Sequence, residues 1–100
     1  MIVKPGTVIE TPADIAVPAG DTVALPEIPA HTRRMCVQVV DGDDTTVIRI
    51  REYGNFAGTG IVLVLYGSRV YGGVDGALTR LEAENIDGPA AAIAVQFERD

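Results

Sequence analysis

Thr45-Thr46-Val47-Ile48-Arg49-Ile50-Arg51-Glu52 decides the fold class. Ile48 and Ile50 fall on one side of an extended chain and Arg49 and Arg51 on the other. That is a period of two, not the 3.6 of a helix, and it marks a half-buried antiparallel strand. The same period appears at 33–40, where Met35, Val37 and Val39 share a face and Gln38 lies opposite. Near the end of the chain Ile93, Val95 and Phe97 alternate with Ala94, Gln96 and Glu98. The stretch 61–66 is apolar on both faces, which reads as a central strand covered on both sides or as a strand facing a subunit.

Shorter strand candidates lie at 7–10, 15–17, 22–25, 69–71 and 80–86. Turn residues separate them. Pro18-Ala19-Gly20-Asp21 suits a tight turn, with proline fixing φ and glycine accepting a positive one. Asp41-Gly42-Asp43-Asp44 reads as a hairpin loop, and Asp87-Gly88-Pro89 as the closure of the last hairpin. Leu78 and Leu81 sit three apart, so a single helical turn fits within 76–84, the chain returning to strand from Arg80. The pattern predicts an all-β domain over 7–100. Its form is a small two-sheet antiparallel β-sandwich or jelly roll of about eight to nine strands. Residues 1–6, with Pro5-Gly6 as a hinge, form a candidate extended N-terminal arm.

Composition excludes several classes of partner. The chain carries 8 Lys and Arg against 14 Asp and Glu, a net charge of −6. An acidic surface argues against direct binding of nucleic acid, whose phosphates call for a basic patch, and against an anionic membrane. The N-terminal stretch breaks at Pro5-Gly6 too early for the apolar segment of a signal peptide, and no apolar run approaches a bilayer span. With Cys36 alone, no disulfide forms within the chain; its apolar setting, Met35-Cys36-Val37, reads as a small buried hydrophobe.

The parts of an active site are equally scarce. His31 is the sole histidine and Ser68 the sole serine, and Ser68 stands in Gly67-Ser68-Arg69 rather than a nucleophile elbow. One histidine and one cysteine do not supply the usual zinc ligands. The glycine-rich Gly54-Asn55-Phe56-Ala57-Gly58-Thr59-Gly60 lacks the lysine and following helix of a phosphate-binding loop. Asp41, Asp43 and Asp44, with Glu52 eleven residues after Asp41, mimic part of a calcium loop. Thr46, however, stands where that loop needs glycine, and the sequence leaves a surface calcium site there open. Glu82 and Glu84, two apart on a strand, share a face that reads as solvated. The expectation is a non-enzyme with no cofactor.

What remains is interaction. The chain is 47% hydrophobic, a high share for 100 residues, and 61–66 and 90–95 carry apolar side chains on both faces. A sandwich has one inner face per sheet, so the surplus points to a homo-oligomer.

Three segments also resemble small proteins encoded among the virion-structure genes of tailed bacteriophages. They are Val47-Ile48-Arg49-Ile50-Arg51-Glu52-Tyr53-Gly54, Gly58-Thr59-Gly60-Ile61-Val62-Leu63, and Ala91-Ala92-Ile93-Ala94-Val95-Gln96-Phe97. Upstream, Val17-Pro18-Ala19-Gly20-Asp21-Thr22-Val23 looks like the entry hairpin of such sandwiches. The resemblance implies a capsid decoration (cement) protein that binds the major capsid protein, or another virion protein, as a homo-oligomer. Its place would be the capsid exterior after assembly in the host cytoplasm. Other phage head-neck or tail components, and a small-ligand or carbohydrate-binding sandwich, stay open beside it. The expected partner contacts are Ile2, Val3 and Lys4 of the arm, and Tyr53, Asn55 and Phe56 of the loop after the strand that opens at Thr45.

Overall fold

The computed structural model of the chain describes residues 8–54, 60–72, 74 and 78–99. Nine strands follow in order: β1 (Val8–Glu10), β2 (Ile15–Val17), β3 (Thr22–Ala24), β4 (Thr32–Asp41), β5 (Val47–Gly54), β6 (Ile61–Val64), β7 (Ser68–Gly72), β8 (Leu78–Asp87) and β9 (Ala91–Arg99). They build two antiparallel sheets, as the alternation predicts. One runs β1-β9-β4-β7, with β2 also on β9; the other runs β3-β8-β5-β6.

The core is the inward half of each alternating strand. Met35, Val37 and Val39 of β4 and Ile93, Val95 and Phe97 of β9 meet Ile48 and Ile50 of β5 and Leu81 and Ala83 of β8, all at most 2% exposed. Each buried aliphatic side chain contributes about 1.5–3 kcal/mol. A buried polar residue ties the layers together. The Asn85 side-chain amide on β8 donates to the carbonyls of Val17 (3.2 Å) and Pro89 (2.8 Å), and its backbone N–H donates to Asp21 (2.9 Å).

Four sequence expectations need correction. First, the turns at 18–21, 41–44 and 87–89 do not close hairpins. Each carries the chain from one sheet to the other, because β2, β4 and β9 lie in the first sheet and β3, β5 and β8 in the second. Among the described strands, only β5 and β6 are both consecutive and hydrogen-bonded to each other. Gly20 (φ 78°) and Gly88 (φ 92°) supply the positive φ these turns need, and that chemistry serves a crossing as well as a hairpin.

Second, no helical turn forms between Leu78 and the end of β8. Tyr53 pairs with Arg80 and Gly54 with Leu78, so Thr79 is an extra residue in a β-bulge. The bulge reverses the phase of the strand and turns Leu78 and Leu81 inward together, which imitates helical spacing. Third, β6 is an edge strand, not a central one, and Leu65 and Tyr66 belong to the turn after it. Fourth, Cys36 is not in the core. It is half-buried on the outer face of the first sheet, and burial raises its thiol pKa.

Candidate interaction surface

The residues that could have made an active site lie apart. His31 (φ 63°) sits exposed in the turn before β4, while Ser68 pairs with Gln38 toward the far end of that strand. At about 3.3 Å per residue, the six steps from Thr32 to Gln38 separate them by roughly 20 Å. Cys36 is opposite Val70, also well along β4 from His31.

The acidic loop after β4 is occupied with its own backbone. Asp43 accepts hydrogen bonds from the Thr45 N–H (2.8 Å) and hydroxyl (2.6 Å), and these hold its carboxyl below the usual carboxylate range. Asp41 accepts from the Gly42 N–H at 2.9 Å. Among the described residues, no three His, Cys, Asp or Glu side chains gather in a way that could hold a metal ion. Glu52 lies toward the other end of β5, opposite the buried Leu81. Beside it Tyr71 is buried, and that burial, followed by the hydrogen bond and charge of Glu52, pushes its phenol well above the usual range.

The outer face of the second sheet is a charged ladder. Glu84 accepts from Arg51 at 2.9 Å and from Arg49 at 3.4 Å. The Tyr53 hydroxyl donates to Glu82 at 2.7 Å, and the Arg80 guanidinium lies 4.2 Å from the centre of the Tyr53 ring. Glu82 and Glu84 thus share a face, each engaged by neighbours on its own chain. Tyr53, expected to contact a partner, is half-buried in this ladder with its hydroxyl committed within the chain. Ile2, Val3, Lys4, Asn55 and Phe56 lie outside the described residues. The outer face of the first sheet is nearly uncharged at its centre, where Thr11, Cys36, Gln38, Ala94 and Gln96 line a shallow hollow.

The apolar surplus emerges where β6 and β7, edge strands of different sheets, are joined by a short crossing. Val62 (54% exposed), Val64 (59%), Tyr66 (68%) and Val70 (54%) present their side chains to solvent there. Tyr66 has a left-handed backbone (φ 64°), an unfavourable conformation for an aromatic residue. Surrounding hydrogen bonds hold it. Its N–H donates to the Val39 carbonyl (2.8 Å), and its own carbonyl accepts from the Gln38 side chain (3.2 Å). The N–H groups of Val39 and Gly67 close the crossing onto the Gly67 and Val64 carbonyls at 3.0 and 2.8 Å. Val62 and Val64 point outward from the second sheet, on the face that carries Arg49, and Val70 points outward from the first sheet beside Cys36. The exposed apolar side chains thus flank this side of the sandwich on both outer faces, with Tyr66 in the crossing between them. The sequence signalled Val62, Val64 and Tyr66 through the two-faced apolar run at 61–66, but it gave no sign that Val70 would be exposed as well.

No protein-family model and no curated protein matches the chain. Among solved structures, the chain is similar to one described as "Bacillus endospore appendages form a novel family of disulfide-linked pili". The TM-score is 0.54 and the identity 11%, over 93% of this chain and 87% of that one. At that identity the likeness shows the fold, a small antiparallel β-sandwich. It also corrects the expectation of phage capsid decoration. The solved structure of similar fold named above is described as a bacterial pilus, not a virion shell, and no comparison supports a phage role.

Proposed function

We propose that this chain is a non-catalytic structural subunit that works by associating with copies of itself through the β6–β7 side of the sandwich. The observation carrying this reading is that exposed apolar side chains concentrate along one side of the sandwich: Val62 and Val64 on β6, Val70 on β7, and Tyr66 in the turn that joins these two edge strands. Removing such surface from water contributes about 25 cal/mol per Å² before the costs of association are met. The pilus to which the fold is similar supports an assembling role.

The covalent linkage in that pilus's description does not carry over to the single thiol here. One cysteine per chain joins two chains and then stops, so disulfides through Cys36 alone cannot link a polymer. Association through this side is therefore non-covalent and depends on concentration. Sedimentation velocity across a range of concentrations tests the reading. A weight-average mass rising above 10.5 kDa is expected, and substitution of Val70, on the β7 edge, by aspartate should return it to the monomer value. A chain that remains monomeric at every concentration refutes the proposal.

A further inference from the structure

The sandwich treats its two sides differently. On one side, β1, β2 and β3 are each three residues long, with Pro12 between the first two, Pro18 after β2 and Pro26 shortly after β3. Short edges interrupted by proline are the usual protection against strand-to-strand association. On the other side, β7 runs five residues, and no proline occurs between Pro29 and Pro89. Nor is there any carboxylate between Glu52 and Asp75. For a chain of net charge −6, this is where two copies approach with the least repulsion between acidic groups.

Hydrogen bonding fixes which backbone groups of β7 are open. Val39 exchanges hydrogen bonds with Gly67 and Tyr66, and the Arg33 carbonyl accepts from the Val74 N–H, so both ends of β4 direct main-chain groups toward the β7 side. By strand alternation Met35 and Val37 do the same, and their partners Tyr71 and Arg69 point back into the ladder. The main-chain groups of Ser68, Val70 and Gly72 consequently face outward, where β7 has no neighbouring strand among the described residues.

This arrangement is self-complementary. We propose that a second copy of this chain docks edge to edge on β7, antiparallel, with Val70 across from the partner's Val70 on a twofold axis. In that register Ser68 lies opposite the partner's Gly72, so outward-facing residues meet outward-facing residues and each facing pair exchanges its two hydrogen bonds. Arg69, the one charged residue of the strand, falls opposite the partner's Tyr71 rather than opposite its own counterpart. No like charges are paired. The two Val70 side chains, each 54% exposed in the single copy, cover one another on the axis. The first sheet then continues across the axis into its copy. The inference rests on the self-association reading and specifies its contact.

Cysteine pairing tests the register in the full chain with Cys36→Ser as background. Directly opposed residues of a hydrogen-bonded antiparallel pair have Cα atoms about 5.5 Å apart, within disulfide range. Val70→Cys should therefore oxidise to a covalent dimer. Ser68→Cys and Gly72→Cys should each stay largely monomeric alone and cross-link when mixed. A Cβ placed at Gly72 meets nothing within 4 Å, so that substitution leaves the fold intact. Val70→Lys should raise the dimer dissociation constant on the order of tenfold or more while leaving the melting temperature of the dilute protein unchanged. Association that persists with no Val70→Cys cross-link overturns the β7 register and leaves self-association standing. A chain monomeric at every concentration overturns both.

Discussion

Replacing Tyr66 with glycine separates what the ring does for the fold from what it does for association. Tyr66 is 68% exposed, so its side chain buries little apolar surface in a single copy. Its φ of 64° lies in the left-handed region, which costs an L-residue about 1–2 kcal/mol and glycine almost nothing. Against that gain stands the greater freedom of glycine in the unfolded chain, about 0.4–1 kcal/mol. The hydrogen bonds that hold the turn use the Tyr66 backbone and survive the substitution. The expected result is a net stabilisation of roughly 0.5–1 kcal/mol, or about 2–8 °C in melting temperature for a domain of this size. Differential scanning calorimetry at a concentration low enough to keep the chain monomeric measures it. Sedimentation of the same variant at high concentration should show weaker association. A fall in melting temperature of several degrees would refute the reasoning, because the ring would then be holding the single copy together despite its exposure.

Other substitutions probe the frame. Asn85→Ala should destabilise by about 1–3 kcal/mol in urea denaturation, because it leaves the buried carbonyl of Val17 without the donor that joins the two layers. Gly88→Ala should also destabilise, by at least about 1 kcal/mol: its φ is 92°, and the added Cβ would stand 2.8 Å from the Thr46 Cα. The Asp43 carboxyl, held below the usual carboxylate range by the Thr45 hydrogen bonds, contributes stability above its unfolded pKa that is lost as pH falls through the lower folded one. Asp43→Ala should therefore flatten the acid limb of the stability–pH curve.

The fold class was legible because burial on one face of a strand imposes a period of two, and the stretches around Ile48, Val37 and Val95 show it plainly. Strand pairing was not, because pairing is non-local. The turn at Gly88 has the same local chemistry whether β9 returns beside β8 or crosses above it. Leu78 and Leu81 misled for a different reason: a bulge adds one residue and shifts a strand's phase, so a spacing of three can arise without a helix. The candidate surface was half legible. The apolar residues on both faces of 61–66 signalled that some would lie outside the core. β6 is an edge strand because, among the described residues, β5 alone pairs with it, and no feature of 61–66 records that. Val70 carried no signal, since a valine in a short strand is as ordinary at an edge as in a sheet's interior.

The same edge geometry limits the assemblies this chain can make. A twofold contact through β7 uses the open edge of the first sheet in both copies and is closed, so it yields a pair and cannot propagate. Growth into a fibre requires a second, different contact. The opposite edge offers little main chain for one, since β1 and β2 are three residues each with Pro12 between them. Val8 and Ile9 of β1 are nonetheless 48% and 41% exposed there. A contact on that side would depend on side chains more than on a continued ladder. Such a contact should be weaker than the proposed β7 pair, so a chain that pairs through β7 is expected to stop at the dimer unless side-chain contacts of this kind extend it.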